Sequence, residues 1–527
     1  MPSPFIVAVL LGLLACTDAV LRNPQSQSHT AFYERQSRST KNFFSRSAPS
    51  TKFQYLTNTT KQFAVDGTNI PLYDGDIGES YAGLRPISQK YRVDPNGTDT
   101  RELFFWFFPS TNPAASNEIT IWLTGGPGCS SLTASLQENG PFVWGPGTAG
   151  PVHNPWSWSR LTNIVYVEQP VGVGFSQGTP GLLQDEKDVA KEFLGWWLNF
   201  VEAFALQGRK IHITGESYSG YYIPYIADAM LAAADPKFFD VEGVLLVDPL
   251  IGDRDLQQQV PHRAMTKEFP HVAAVNKTYD AELDALDDKC GYTAFLNEYL
   301  VFPPKGVQPV SPSSARFDGA CDMYIASVIA IAYMNPCFYP YEITLGCPYP
   351  VDTMRNPPDG IEYFNRTDVK AAINAPPVDW IYCTAPTFAN GDTDLSPPVI
   401  EDVLPRVIER LKKTMIVTGA LDLALPTNGT LLAIQNMTWN GALGFQQAPA
   451  GDFFVPYSDA AQNDVEALSG AGLMGTFHEE RGLTFVDVFL AGHQLPMWQP
   501  AAAFRHLEYL LGRVESLNST QYWSVQI

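Results

Sequence analysis

Two segments of this 527-residue chain carry almost the same six residues, GESYAG at 78–83 and GESYSG at 215–220. Each holds a serine able to act as an acyl-transfer nucleophile. That role needs a sharp turn between a strand and a helix, which exposes the hydroxyl. Ser217 meets the condition, because KIHIT at 210–214 reads as a strand and 221–234 as a helix. Ser80 does not: LYDGD precedes it, and Leu84-Arg85-Pro86 cannot open a helix cleanly. Ser217 is the expected nucleophile and Ser80 a decoy, although Ser219 departs from a strict G-x-S-x-G.

A serine nucleophile needs a base and donors for the oxyanion. WLTGGPGCSS at 122–131 follows a strand, and its glycines let backbone N–H groups approach a carbonyl. His493 lies in AGHQLP, directly after the apolar run 483–490. Side chains that do chemistry emerge at such strand ends in open α/β sheets. His212 sits inside the strand before the turn and reads as structural; the other histidines lack such a placement. Asp422 follows the strand 414–417 and the turn TGAL, giving the order Ser217, Asp422, His493 of α/β-hydrolases. Asp487 competes for the acid, but it falls within the strand and only six residues before His493.

The elements that must position these groups alternate. Strands are expected at 102–109, 118–123, 163–167, 211–214, 244–247, 414–417 and 483–490, with helices at 184–204 and 222–234. Alternation implies an α/β fold, and apolar strands without a two-residue period imply a mostly parallel central sheet covered on both faces. Residues 253–379 have many prolines, four cysteines and no clear strand–helix rhythm, so they read as an insertion capping the core. The core is expected at 52–252 and 380–527. Within the insertion, 323–334 reads as a buried helix, too short to cross a bilayer.

Residues 1–19 read as a secretory signal with an apolar run at 5–15, and 20–51 as a polar arm or pro-segment. Loss of the signal removes Cys16 and leaves Cys129, Cys290, Cys321, Cys337, Cys347 and Cys383, an even set expected to form three disulfides. Asn-x-Ser/Thr sequons at Asn58, Asn96, Asn276, Asn365, Asn428, Asn436 and Asn518 add an expectation of N-linked glycans. The expected location is secreted, with a vacuole or lysosome-like compartment as the alternative. The terminal TQYWSVQI suggests no retention signal or lipid anchor. A formal charge of −21 disfavours nucleic acid, and no Cys or Cys/His spacing suggests zinc, so no metal or cofactor is expected.

TGGPGCSSL, ENGP at 138–141, NPWSW at 154–158, VEQPVGVGFS at 167–176, GESYSG and GHQLP occur together between about residue 81 and the C-terminus. In this combination the chain resembles the serine carboxypeptidases, most of all secreted fungal members. The resemblance implies an α/β-hydrolase fold and an exopeptidase that removes C-terminal residues from peptides and proteins through an acyl-enzyme. It implies Ser217, Asp422 and His493 as triad, the N–H groups of Gly126 and Tyr218 as oxyanion hole, and Trp122, Thr124, Glu138 and Glu216 as the site for the substrate carboxylate. Thr124 replaces the family's Asn, Gln494 a common Met and Ala420 a common Asp. The resemblance also implies a Cys129–Cys383 disulfide; the pairing of the other four cysteines stays open. An acyltransferase or esterase on the same scaffold is the alternative, and a catalytically dead binding protein a third reading. The two glutamates favour the carboxypeptidase, since an esterase has no terminal carboxylate to bind.

Overall fold

The computed structural model describes residues 53–87, 100–145, 148–310, 320–355, 357, 359–458 and 469–526. The chain divides into Met1–Phe53 and a compact unit Gln54–Ile527. The expected signal and arm therefore lie outside the described residues, as does the sequon at Asn96.

Among the described residues eleven strands form one sheet. In chain order they are β1 (Ala64–Val65), β2 (Ser80–Pro86), β3 (Glu102–Phe108), β4 (Glu118–Leu123), β5 (Ile164–Glu168), β6 (Lys210–Glu216), β7 (Asp240–Val247), β8 (Lys413–Gly419), β9 (Gly451–Val455), β10 (Gly472–Glu480) and β11 (Leu483–Val488). Their spatial order is β1-β2-β3-β5-β4-β6-β7-β8-β11-β10-β9. The run from β5 to β11 is parallel throughout, and both flanks are antiparallel. This is the α/β architecture with a mostly parallel centre that the apolar strands imply.

The central strands are buried on both faces, and their side chains alternate between two cores. Ile119, Ile121 and Leu123 of β4 join one cluster with Val165 and Val167, while Trp122 joins the other with Ile164 and Tyr166. Helices α1 (Leu132–Gln137), α2 (Glu186–Phe204) and α3 (Ser219–Ala233) follow β4, β5 and β6 in the chain. Asp185 caps α2 by accepting from Lys187 N and Asp188 N, a signal that sets the helix start.

The segment 253–379 is more regular than its sequence suggests. Among its described residues are α4 (His262–Glu268), α5 (Lys277–Cys290), α6 (Tyr292–Tyr299) and α7 (Met323–Met334). The Asn276 side chain caps α5 and Asp322 caps α7. The Asn276 cap is the sequence signal for α5, which was not expected, while α7 matches the helix expected at 323–334. The disulfides are Cys129–Cys383, Cys290–Cys321 and Cys337–Cys347, so the four open cysteines pair sequentially. The expectation that 323–334 is a buried helix needs correction. Met323, Ser327, Ala330 and Ile331 of α7 are buried, but Ile325, Ile329, Tyr333 and Met334 are exposed. With 3.6 residues per turn, a helix lying on the outside of the fold buries one face only. Among the described residues no helix is long and apolar enough to cross a membrane.

Candidate active site

The two serines have different surroundings. Ser80 opens β2 and is fully buried; its Oγ accepts from Trp106 Nε1 at 3.2 Å. Ser217 stands between β6 and α3 and is half-buried. Its φ of 63° is left-handed, a conformation that costs a non-glycine residue about 1–3 kcal/mol. The turn holds it there: Ser217 N donates to Val247 O at 2.9 Å, and Ser217 O accepts from Gly220 N and Leu250 N, both at 3.0 Å. Gly215 is required, because a Cβ there would lie 2.0 Å from Leu123 O.

Asp422 and His493, 71 residues apart, meet at the C-terminal ends of neighbouring parallel strands β8 and β11. His493 Nδ1 lies 2.6 Å from Asp422 Oδ2, and both side chains are buried. Asp422 Oδ1 accepts from Ala424 N at 2.8 Å and Leu425 N at 3.1 Å, which fixes the carboxylate. Asp487 is elsewhere, accepting from Thr427 Oγ1 at 2.9 Å. His212 is buried within β6, and burial depresses its pKa to about 3.

Residues 340–343 brace this pair, which the sequence did not reveal. His493 N donates to Tyr341 O at 2.7 Å, Leu423 N to Pro340 O at 2.9 Å and Ile343 N to Leu421 O at 3.2 Å. The Tyr341 ring sits 5.1 Å from the imidazole. Burial alone would lower the pKa of His493, but the Asp422 carboxylate and the charge of Glu216 outweigh it, and the net direction is upward. Asp248, directly after β7, was also missed. It is fully buried, accepts from Gly419 N at 2.7 Å, and is held well above the usual carboxylate range by burial and by Asp422.

The glycine loop reaches the same place from β4. A Cβ on Gly125 would lie 2.3 Å from Tyr218 N, so this loop and the Ser217 turn are packed against each other. Gly126 has φ 115°, and a Cβ there would strike Cys129. The VEQP segment ties the loop down through Glu168, and the NPWSW and ENGP segments hold the turn at 138–141. Glu168 accepts from Ser130 Oγ, from Phe175 N at 2.6 Å and from Trp380 Nε1 at 3.1 Å. Asn154 Nδ2 donates to Gly140 O at 2.8 Å, and Tyr166 OH to Asn139 Oδ1 at 2.8 Å.

Glu138 and Glu216 come together beside the histidine. They line one cleft with Thr133, Gln137, Tyr339, Gln494 and others. Their side chains hydrogen-bond, so one proton must be shared between them. Glu138 Oε2, Glu216 Oε2 and Gln494 Oε1 are buried there without a hydrogen-bond partner. Burial first, then the charges of Glu216 and Asp248, raise Glu138 well above its usual range; burial pushes Glu216 to about 7. Trp122 Nε1 donates to Thr124 Oγ1 at 3.0 Å. Thr124 N donates to Ser131 Oγ at 3.0 Å. Among the described residues no group of three His, Cys, Asp or Glu side chains could hold a metal ion.

The sequons also separate. Asn58 and Asn518 are exposed, and Asn276, Asn428 and Asn436 half-buried. Asn365 uses both amide hydrogens, toward Glu362 Oε2 at 2.7 Å and Trp380 O at 2.9 Å. A glycan on Asn365 would sacrifice one of these bonds.

Buried carboxyls with raised pKa values bind protons more tightly when folded than when unfolded. Their contribution to stability is complete below about pH 4.5, the ordinary glutamate value, and is lost as pH rises through about 7 for Glu168 and Glu216. Each such group is worth on the order of 3 kcal/mol. Buried His212, His262 and His506, each held at about 3, act in the opposite direction, since their stabilisation grows as pH rises to 6.5. The carboxyl contribution is isolated by Glu168→Gln: by differential scanning calorimetry its melting temperature should gain less at acidic pH, relative to pH 7.5, than the parent's, and an identical pH dependence in the two proteins would contradict this.

The serine carboxypeptidase family profile matches residues 91–513. The chain is 45% identical to a probable serine carboxypeptidase of Arthroderma benhamiae, over 98% of this chain and 99% of that protein. It is 40% identical to the serine-type carboxypeptidase F of Aspergillus niger, over 96% of this chain and 98% of that protein. Among solved structures, a prohormone-processing carboxypeptidase from Saccharomyces cerevisiae superposes with a TM-score of 0.67 at 23% identity, over 86% of this chain and 96% of the other. That likeness is one of fold.

Proposed function

The chain belongs to the serine carboxypeptidase family, and from that premise we propose that it releases C-terminal residues from peptides through an acyl-enzyme on Ser217. His493 takes the proton of Ser217 and later delivers it to the departing amine. Asp422 holds the imidazole and stabilises its charged form. The amides of Gly126 and Tyr218 receive the developing oxyanion. Water then cleaves the ester, with His493 again as base.

The observation that carries the exopeptidase reading is the buried Glu138–Glu216 pair with unpartnered oxygens in a cleft beside His493. Two carboxyls this close cannot both ionise cheaply. Below about 7 both carboxyls hold a proton, so one lies between them and the other can be donated to the substrate's terminal carboxylate; once Glu216 ionises, the remaining proton stays within the pair and its negative charge repels the substrate. Thr124 offers a further hydroxyl at this site.

The sign of the pH dependence follows. KM for free-acid peptides should stay low on the acidic side and climb as pH rises through about 7, where Glu216 loses its proton. On the acid side kcat should fall, because the raised pKa of His493 protonates the base. The working range is therefore acidic on the KM limb and bounded from below by His493. Peptides with free and amidated C-termini, followed by mass spectrometry and steady-state kinetics, test this. Stepwise loss from the free acid, with a KM rise above pH 7 that is absent from the amide, is expected. Replacing Glu138 and Glu216 by Gln should flatten that rise. A pH-independent KM for free acids would remove the glutamate pair as carboxylate site, and equal turnover of esters and free-acid peptides would favour an esterase.

We place the protein in the secretory route. The apolar N-terminal run, the sequons and the three disulfides support that reading, since disulfides persist in oxidising compartments.

A further inference from the structure

Only the backbone of Tyr218 enters the reaction described above, yet its side chain is held as firmly as its amide. The phenol donates to Asp394 Oδ2 at 2.5 Å. Asp394 is itself fixed, its Oδ1 accepting from Ser396 N at 2.8 Å. Ser396 Oγ accepts from Glu186 N, the first residue of α2, at 2.7 Å. The Tyr218 ring stacks on Tyr221 with centroids 5.3 Å apart and meets the edge of Tyr222 at 5.2 Å. Tyr222 OH accepts from Gly128 N at 3.2 Å, so the glycine loop is tied to the same aromatic cluster.

We propose that Asp394 is a positioning residue for the oxyanion hole: by anchoring the Tyr218 phenol it holds the Tyr218 amide where the tetrahedral oxygen forms. The inference rests on the acyl-enzyme reading of Ser217. The need for an anchor comes from the turn. Ser217 is held at φ 63°, and its relaxation toward ordinary backbone would rotate the peptide joining it to Tyr218 and swing the N–H away. An oxyanion donor is useful only within hydrogen-bond range of the transition-state oxygen. A carboxylate is the stronger acceptor for this task, since charge-assisted hydrogen bonds are roughly twice as strong as neutral ones. Glu186 flanks the same phenol from inside the fold. Burial first, then the charges of Asp394 and Asp185, raise its pKa, while the phenol donates to Asp394.

The test compares Asp394→Asn, Asp394→Ala, Tyr218→Phe and the double Tyr218→Phe/Asp394→Ala, each checked for an unchanged circular dichroism spectrum and melting temperature. Two readouts are needed: kcat and KM on a free-acid peptide, and the Ki of a peptide phosphonate whose oxygen occupies the oxyanion position. Asp394→Ala and Tyr218→Phe should each lower kcat about 10-fold and weaken the phosphonate equally, less than the loss of a whole donor, with KM unchanged. The double variant should be no worse than either single one. Asp394→Asn keeps an acceptor and should recover part of the loss. A change in KM alone, additive losses in the double variant, or unaltered kcat in folded Asp394→Ala would overturn the proposal. If Ser217→Ala is as active as the parent protein, the acyl-enzyme reading itself fails; normal dependence on Ser217 with no effect of Asp394 sinks this inference alone.

Discussion

Ser217→Ala is expected to lower kcat by ~10⁶-fold, whereas Ser80→Ala should leave turnover nearly intact. The two serines share a hexapeptide context and differ in everything that matters for nucleophilicity. Ser217 is lifted out of the sheet by a left-handed turn, half-open to solvent, against the glycine loop and at the N-terminus of α3. The hydroxyl of Ser80 is sealed within the sheet and already engaged with Trp106. Its loss removes one buried hydrogen bond, a stability effect of about 1–3 kcal/mol rather than a catalytic one. Labelling with a serine-directed fluorophosphonate, followed by peptide mapping, should modify Ser217 only. A folded Ser80→Ala protein without activity, or label on Ser80, would reverse the assignment.

The second large effect concerns the acid. Asp422→Asn is expected to reduce kcat by ~10⁴-fold at neutral pH, and Asp487→Asn to leave it close to the parent value. An asparagine at 422 must turn its amide NH₂ either toward His493 Nδ1 or toward the N–H groups of Ala424 and Leu425, which the carboxylate now satisfies. In the first case the imidazole is forced into the tautomer with its proton on Nε2, where it cannot accept the proton of a serine. In the second, two buried donors face a third. Asp487 accepts from Thr427, and an asparagine can keep that bond through its carbonyl. Burial pushes Asp487 up to about 6, and its carboxylate accepts from Thr427 and Thr418, while the histidine pairs with Asp422. Steady-state kinetics on both variants decides the matter; loss of activity in Asp487→Asn with retention in Asp422→Asn would exchange their roles.

The comparison of Ser80 with Ser217 shows what kind of information a sequence holds. Residues 210–220 advertise a strand, a tight turn and a helix through β-branched residues, glycines and an apolar run, all within a dozen positions. The parallel centre of the sheet was legible for the same reason: unalternating apolar strands separated by helical stretches have one stable arrangement, buried on both faces. The insertion was less legible. Its helices are short, and α7 is apolar nearly all round, so the composition of 323–334 suggested burial while the fold leaves half of the helix in water.

The features legible in the residues alone are local: the α/β alternation, the strand–turn–helix setting of Ser217 and the turns after β8 and β11 that carry Asp422 and His493. Tertiary structure alone decided which groups meet. It brought Asp422 Oδ2 to His493, joined Glu138 at the end of α1 to Glu216 before the turn, and paired the four open cysteines in sequence. It also set Tyr341 of the insertion against the imidazole and Asp394 against the Tyr218 phenol. The physical reason is range. Propensity, hydrophobic period and turn chemistry act over a few residues and leave a repeating mark. A hydrogen bond between Tyr218 and Asp394, 176 positions apart, leaves none, because it depends on how two separately formed segments pack.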